Sequence, residues 1–360
     1  MGVSHLVAIP DGCIPEVTRG PNRSAETPGA ALASYLQDSE KYIPGKDRED
    51  VEFPVKSLDK IIRSVQAFGR GLSALSSSPA SVPIPGSIGL ALGGGFARGI
   101  AHVGVLKVLE QENIPIGVVA GTSVGALIGA AYCSGVSIEE LEYIATRVRF
   151  KHFARWTLSR YGFASNQRMI GFLNRVLKVK NFEELRIPLA VTATDFSTGE
   201  AVVFHSGPLV DPVRASCAYP GMFLPVKIRG RLLVDGMLAH TVPTVPLREM
   251  GADHVLAVHL KGTWTNGEGP RHLFDVIGQC FAIAQQMNYD RWKQAADLVI
   301  EPNVNGYKYD DFEHSADLVR AGEAVTRAAL PELRKWLQPE PSRALARKSQ
   351  LAEPAPLPAK

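Results

Sequence analysis

Cysteine is scarce in this 360-residue chain, and the four present, Cys13, Cys133, Cys217 and Cys280, never form a Cys-x-x-Cys pair. That scatter excludes a zinc knuckle or a disulfide framework and fits a reducing compartment. Long apolar runs are also missing. No stretch approaches the roughly 18 apolar residues that a membrane-spanning helix requires. The N-terminus has no basic segment leading into an apolar core, because Leu6 to Pro10 is short and Asp11 interrupts it, so no secretory signal is expected. Gly2 opens no myristoylation motif, since Leu6 stands where Ser or Thr is needed. Nor is charge of one sign in excess. With 39 basic residues against 36 acidic ones, the net +3 gives no argument for nucleic acid and allows a mildly basic face toward an anionic surface. These absences predict a cytoplasmic protein that touches membranes peripherally at most.

What is present is a globular composition, 45% hydrophobic and 21% charged, in a chain long enough for one large α/β domain or two smaller ones. Residues 1 to about 55 are rich in Pro, Gly, Ser and charge and read as an extended lead. A helix is expected over about 57–75, with Leu58, Ile61, Ile62, Val65, Phe68, Leu72 and Leu75 on one face. Lys56, Lys60, Arg63 and Arg70 accompany it against Asp59 alone. The segment reads either as a helix docked on the main domain or as an amphipathic segment lying on a bilayer. A Ser/Pro linker, Ser76 to Pro85, closes this 1–85 extension, and residues 339–360 read as a flexible Pro/Ala tail.

Between them, over 86–338, strand and helix patterns alternate. Strands are expected at 88–92, 116–120, 189–194, 201–204, 232–234, 255–260 and 298–300, and helices at 100–111, 167–178, 272–294 and 315–338. Ser137 with Glu140 makes a capping box for a further helix. Such alternation predicts a mostly parallel central sheet covered by helices on both faces.

Three short segments carry chemistry. Gly121-Thr122-Ser123-Val124-Gly125 lies between an apolar run and a small-residue run, the strand-turn-helix context of a nucleophile elbow. Glycines two positions either side of Ser123 remove Cβ atoms from a tight turn. Gly93-Gly94-Gly95-Phe96-Ala97-Arg98-Gly99 follows the first strand. Its backbone N–H groups, with a helix start behind them, can cradle an anion. A dinucleotide fingerprint is excluded because Arg98 occupies the third glycine position, and a Walker loop because no Gly-Lys-Ser/Thr closes it. An oxyanion hole fits, with Gly93, Gly94, Gly95, Phe96 and Arg98 as its candidates. Arg98 either braces the loop, meets an anionic head group, or lies on the surface. The serine needs a base. His240 and His259 follow it in the order of an α/β-hydrolase triad, whose oxyanion loop, however, does not immediately precede the elbow. Asp235, in Leu232-Leu233-Val234-Asp235-Gly236, stands at the exit of an apolar strand.

Taken together, the glycine loop, the Gly-x-Ser-x-Gly elbow and Asp235-Gly236 resemble the patatin-like phospholipase family, its soluble bacterial members and the catalytic domain of neuropathy target esterase. The likeness runs over about 88–251, includes Ala193 to Gly199 and Ala215 to Gly221, and continues more loosely through the helices at 272–338. It implies a three-layer α/β/α patatin-like fold and a Ser–Asp dyad without histidine, metal or cofactor. Ser123 would attack a phospholipid or lysophospholipid acyl ester and Asp235 would take its proton. Amides around Gly94, Gly95 and Phe96 would hold the oxyanion, and water would release the acyl-serine. A lipid acyltransferase using the same acyl-serine, and a catalytically weak lipid-binding regulator, are the alternatives. Two departures stand out: Met237 follows Gly236 where the family has Gly or Ala, and Phe96 stands where close relatives often have a fourth glycine. Finally, Phe150 to Phe163 mixes aromatic and basic residues and reads either as an interfacial flap or as packing against the sheet. The oligomeric state is not legible.

Overall fold

The structure, a computed structural model, describes residues 88–159, 162–261, 269–270, 273–287 and 289–338. The expected lead, the 57–75 helix, the Ser/Pro linker and the tail lie outside the described residues, as do Arg160 and Tyr161 of the aromatic-basic segment.

The described residues begin with β1 (Ile88–Leu92), whose five residues are all buried. A short 3-10 turn (Phe96–Ile100) leads into α1 (Ala101–Gln111). β2 (Ile116–Thr122), α2 (Val124–Cys133) and α3 (Ile138–Arg147) follow, the last opened by the expected capping box between Ser137 and Glu140. A hairpin of β3 (Arg155–Ser159) and β4 (Gly162–Ser165) precedes α4 (Gln167–Val176). Next come β5 (Leu189–Asp195), β6 (Ala201–Phe204), α5 (Val210–Ser216), β7 (Gly221–Phe223), β8 (Val226–Ile228) and β9 (Arg231–Asp235). The chain closes with α6 (Thr244–Glu249), β10 (His254–Val258), α7 (Leu273–Met287), α8 (Tyr289–Lys293), β11 (Leu298–Ile300) and α9 (Ser315–Trp336).

Eight strands form the main sheet in the order β11-β10-β1-β2-β5-β9-β8, with β6 also paired to β5. The pairs from β11 to β5 are parallel, and those involving β6, β8 and β9 antiparallel. The side chains of this sheet divide by twos between two cores, as strand geometry requires. Ile88, Leu90, Leu92, Val119, Val191, Leu256 and Val258 pack with α1, α2, α3 and α9. Their alternates Ala91, Val118, Ala120, Ala190, Val255 and Ala257 pack with Leu247 of α6 and Trp292 of α8. Covered faces on both sides explain why these strands are mostly apolar, with polar residues kept to the ends of β2 and β5 near the site, and they make the three-layer α/β/α arrangement.

The elements that pattern reading did not find are the short ones. β7 and β8 have three residues each, and α5 and α6 seven and six. They are too brief for a period to register. The 150–163 segment divides between both readings. Phe150 and Phe153 pack against Phe96, Phe223 and Phe312, whereas Trp156 and Phe163 on the hairpin stay exposed.

Helices α1 and α9 pack through glycines. A Cβ on Gly322 would collide with the Ala101 carbonyl, and one on Gly104 with the Val319 carbonyl. In an open helix, Gly→Ala gains about 1 kcal/mol from propensity. Here the sign reverses, because partner backbone must move. Gly322→Ala is expected to lower the unfolding free energy by about 1–3 kcal/mol in urea denaturation, and a gain instead of a loss would refute this packing.

Candidate active site

β1 and β2 are parallel neighbours, with Leu92 beside Gly121, so the loop after one and the elbow after the other emerge together at one edge of the sheet. At the elbow, Ser123 has φ 54° and ψ −122°, a conformation that only surrounding contacts can hold in a non-glycine residue. Three features hold it. The Ser123 N–H donates to Ser216 Oγ at 2.8 Å. A Cβ on Gly121 would stand 2.5 Å from Ala126 Cα, and one on Gly125 would strike the Leu92 carbonyl, so both positions admit only glycine. Thr122 Oγ1 donates to the His240 carbonyl at 2.9 Å and also meets Thr192 Oγ1.

Asp235 arrives from the opposite direction. Thr192 pairs with Thr122 of β2, and the next residue of β5, Ala193, pairs with Asp235 of β9. β6 covers the other edge of β5 at these same residues. β2 and β9 therefore share one edge of β5 and meet end to end, with Ser123 and Asp235 at the junction. The expectation of a carboxylate at a strand exit holds, but that strand runs antiparallel to the sheet's parallel majority.

Ser123 Oγ donates to Asp235 Oδ2 at 2.7 Å, while the Met237 N–H donates to Oδ1 at 2.9 Å. The carboxylate is 1% exposed. Burial pushes its pKa up to about 7, against the smaller pull of the Met237 and Ser123 hydrogen bonds. Neither His240 nor His259 is hydrogen-bonded to this pair. His259 Nδ1 meets Glu301 Oε1 at 2.8 Å, and His240 serves the elbow through its backbone. The triad alternative has no geometry here. Gly236 follows the base with its Cα against the Thr192 carbonyl.

The glycine loop needs a correction. The Gly93 N–H donates to the Val258 carbonyl and the Gly94 N–H to the Thr241 carbonyl, each at 3.1 Å, so those two amides face away from the serine. Gly94, Gly95 and Phe96 line one cavity with Ser123, and of these the Gly94 amide is already engaged. Arg98 is corrected too. It is 5% exposed, not a surface residue, and its Nε and Nη2 donate to the Tyr307 carbonyl at 3.0 and 2.7 Å, bracing the loop. His102, fully buried, donates from Nε2 to the Gly93 carbonyl at 2.8 Å and fixes the loop from behind. Sequence reading gave no role to His102 or Ser216. Their signal was position alone: one on the helix behind the loop, the other inside the 215–221 segment.

Phe96 has φ 53°, strained for an aromatic residue, and its ring sits among Phe150, Tyr309 and Phe312 at centroid distances of 6.0–6.2 Å. The Met237 side chain lies over the Gly94 Cα, where a Cβ would meet it. From Ser123 an apolar cavity extends between helices, lined by Val103, Leu127, Leu141, Ile144, Met169 and Phe172. No helix among the described residues is long and apolar enough to cross a membrane.

Residues 90–248 match the family described as patatin-like phospholipase. The chain is 33% identical over 193 residues to a Mycobacterium tuberculosis protein named as an uncharacterized NTE family protein, covering 52% of this chain and 53% of that one. It is 28% identical over 271 residues to Lysophospholipase NTE1 of Mycosarcoma maydis, covering 72% of this chain and 14% of that one. The chain thus spans about half the length of the mycobacterial relative and a small part of the fungal one. Among solved structures, VipD from Legionella pneumophila is similar at 15% identity and TM-score 0.44, over 71% of this chain and 69% of that one.

The buried carboxylate has a consequence for stability that is independent of catalysis. Its folded pKa of about 7 lies above the roughly 3.9 of an unfolded chain. Between those values the folded state keeps a proton that the unfolded chain gives up, so stability falls as pH rises from about 4 to about 7. Asp235→Asn removes that dependence. The stability of the variant relative to wild type is expected to grow by about 2–3 kcal/mol between pH 5 and pH 8 in denaturant titrations. A difference that is flat with pH would mean the carboxylate is ionised throughout.

Proposed function

We propose that this chain, whose residues 90–248 carry a patatin-like phospholipase domain, hydrolyses carboxylic esters of phospholipids or lysophospholipids through an acyl-serine, with Ser123 and Asp235 as the catalytic dyad within a catalytic domain over 86–338. The observation that carries the reading is the 2.7 Å hydrogen bond from Ser123 Oγ to a buried carboxylate, at a strained elbow beside the Gly95 and Phe96 amides, which have no hydrogen-bond acceptor among the described residues.

In this mechanism Asp235 Oδ2 accepts the Ser123 proton as Oγ attacks the ester carbonyl. A carboxylate at its ordinary pKa is a weak base; one raised to about 7 is matched to neutral pH. The Met237 N–H holds Oδ1 and so presents Oδ2 to the serine. The tetrahedral oxyanion is received by the Gly95 and Phe96 N–H groups and by that of Val124, which opens α2 and has no intrahelical acceptor. Collapse returns the proton from Asp235 to the departing alkoxide. Water then enters and adds to the acyl carbonyl as Asp235 takes its proton, and collapse returns that proton from Asp235 to Ser123 Oγ as the fatty acid leaves. The apolar cavity at Ser123 receives the acyl chain. Contact with a membrane surface is expected to be peripheral, and the exposed Trp156 and Phe163 are suited to it.

Mass-spectrometric analysis of products from mixed phospholipids and lysophospholipids is expected to show free fatty acid and the deacylated lipid. Ser123→Ala and Asp235→Asn should each lose about 10³-fold or more in kcat, while His240→Ala and His259→Ala keep the dyad. The kcat/KM profile should rise about tenfold per pH unit up to about pH 7 and then level, since only the ionised base accepts the proton. Acyl transfer to an added lysolipid at the expense of free fatty acid would identify an acyltransferase. Failure of a fluorophosphonate probe to label Ser123 would sink both.

A further inference from the structure

Charge is close to balanced over the whole chain and far from balanced along it. Between Glu142 and Glu183 stand nine Lys or Arg residues and no Asp or Glu, so the remainder of the chain carries more acid than base. This segment holds the end of α3, the β3–β4 hairpin and α4. Part of its charge is already engaged. Lys178 pairs with Glu140 at 2.7 Å, Arg149 donates to the Thr146, Val148 and Phe312 carbonyls, and Arg147 lies over the Tyr143 ring. Lys151, Arg155, Arg168 and Arg175 are exposed and make no ion pair among the described residues.

These four belong to one neighbourhood. Arg168 Nη1 donates to the Lys151 carbonyl at 3.2 Å, which ties the first turn of α4 to the turn before β3. Arg175 stands two helical turns further along the same stripe of α4. Arg155 faces Ser165 across the hairpin, and Trp156 faces Ala164. Strand alternation puts Phe163 on the face of Ser165, and therefore on that of Arg155. Trp156 is 65% exposed and Phe163 42%. The inner side of the same unit borders the apolar cavity. Ala164 pairs with Phe223, the Phe150 ring stacks on Phe223 at 5.8 Å, and Phe153, Met169, Phe172 and Phe223 line that cavity with Ser123.

We propose that the β3–β4 hairpin and α4 form a docking face for an anionic lipid bilayer, with Lys151, Arg155, Arg168 and Arg175 meeting lipid phosphates and Trp156 and Phe163 entering the headgroup layer. Docking goes beyond the acyl-hydrolase reading and does not depend on it, because binding is separable from turnover. The chemistry of the face selects this occupant. Exposed aromatic rings beside unpaired cations suit a surface that is apolar below and anionic above. A second copy related by a two-fold axis would set the same four cations against each other. Duplex nucleic acid would meet the cations and leave both rings against phosphate and water.

The test is flotation of the full-length chain with vesicles, in a Ser123→Ala background so that lipid composition stays fixed whether or not the hydrolase reading holds. Phosphatidylcholine vesicles are compared with vesicles in which a third of the lipid is phosphatidylglycerol. Binding is expected to be about tenfold or more stronger on the anionic vesicles, and to weaken as salt rises above about 0.1 M, where the screening length falls below about 10 Å. Arg155→Gln with Arg168→Gln should lower the partition coefficient on anionic vesicles about tenfold or more, at about fivefold per charge. Arg155→Lys with Arg168→Lys should retain it, which separates charge from fold. Lys227→Gln with Lys293→Gln removes the same net charge from exposed positions elsewhere and should change binding by no more than about twofold. Trp156→Ala should weaken binding to both kinds of vesicle by one common factor. Binding by the Arg155/Arg168 glutamine pair that matches the parent, or an equal loss in both glutamine pairs, would overturn the face and leave the hydrolase reading standing. So would tighter retention on single- or double-stranded DNA than on anionic vesicles, or no binding to vesicles at all.

Discussion

Two strands abutting along one edge of β5 are the constraint on which the site depends. β2 ends where Thr122 faces Thr192, and β9 ends one residue further on, where Asp235 faces Ala193. No linker sets the serine-to-carboxylate distance; the backbone register of β5 does. That register is locked on its other edge by β6 and across the junction by hydroxyls: Thr194 Oγ1 donates to the Asp235 carbonyl at 2.9 Å, and Thr122 Oγ1 to the His240 carbonyl. A one-residue slip of β9 would turn Asp235 to the other face of the sheet. Two side chains 112 residues apart are therefore held as firmly as neighbours.

The strain in the site is offset by contacts with no part in the chemistry. Ser123 and Phe96 both hold positive φ, at a cost of order 1–3 kcal/mol each. For Ser123 the restraint is polar, from Ser216 Oγ and the crowded glycines. For Phe96 it is apolar, from an aromatic cluster that reaches across the chain to Tyr309 and Phe312. The segment around 307–312 also takes the Arg98 guanidinium and the Ala97 N–H on backbone carbonyls. Residues outside the family-like 88–251 stretch thus complete the loop. A glycine at position 96 would adopt the same backbone freely, so the aromatic residue exchanges backbone ease for a fixed loop.

Much of this was legible in the sequence, and for definable reasons. The strands around Leu90, Val119, Val191 and Val258 are buried on both faces, so they read as mostly apolar runs. The capping box at Ser137 is a local motif that needs no tertiary context. Ser123, Asp235 and the glycine loop were found because each sits at the end of such a strand. Which amides face the serine was not legible. The turn of the Gly93 and Gly94 peptides is decided by Val258, Thr241 and His102, two of them about 150 residues away, and no pattern within the loop encodes it. Arg98 had three open readings for the same reason, since its partner carbonyl on Tyr307 is set by tertiary packing. The antiparallel sense of β9 was hidden as well. A three-residue apolar run, Leu232 to Val234, reads the same in either direction, and the short β7 and β8 that reverse the chain carry too little pattern to be seen.

Burial of the base and the division of polarity around it are one design. Burial raises the Asp235 pKa to about 7, which in the proposed mechanism fits it to act as a base near neutral pH. The same desolvation weakens the fold in the pH range where the base works, a trade that a purely structural aspartate would not make. Under the proposed mechanism, water for deacylation cannot come through the acyl side while the acyl chain fills it. The other approach leads past Met237, which lines both the small cavity at Ser123 and a larger one walled by Thr198, Glu200, His240 and Arg291, and water can enter there once the alcohol product has left. The order of hydrolysis, alcohol out before water in, then follows from having one dry and one wet approach to a single serine.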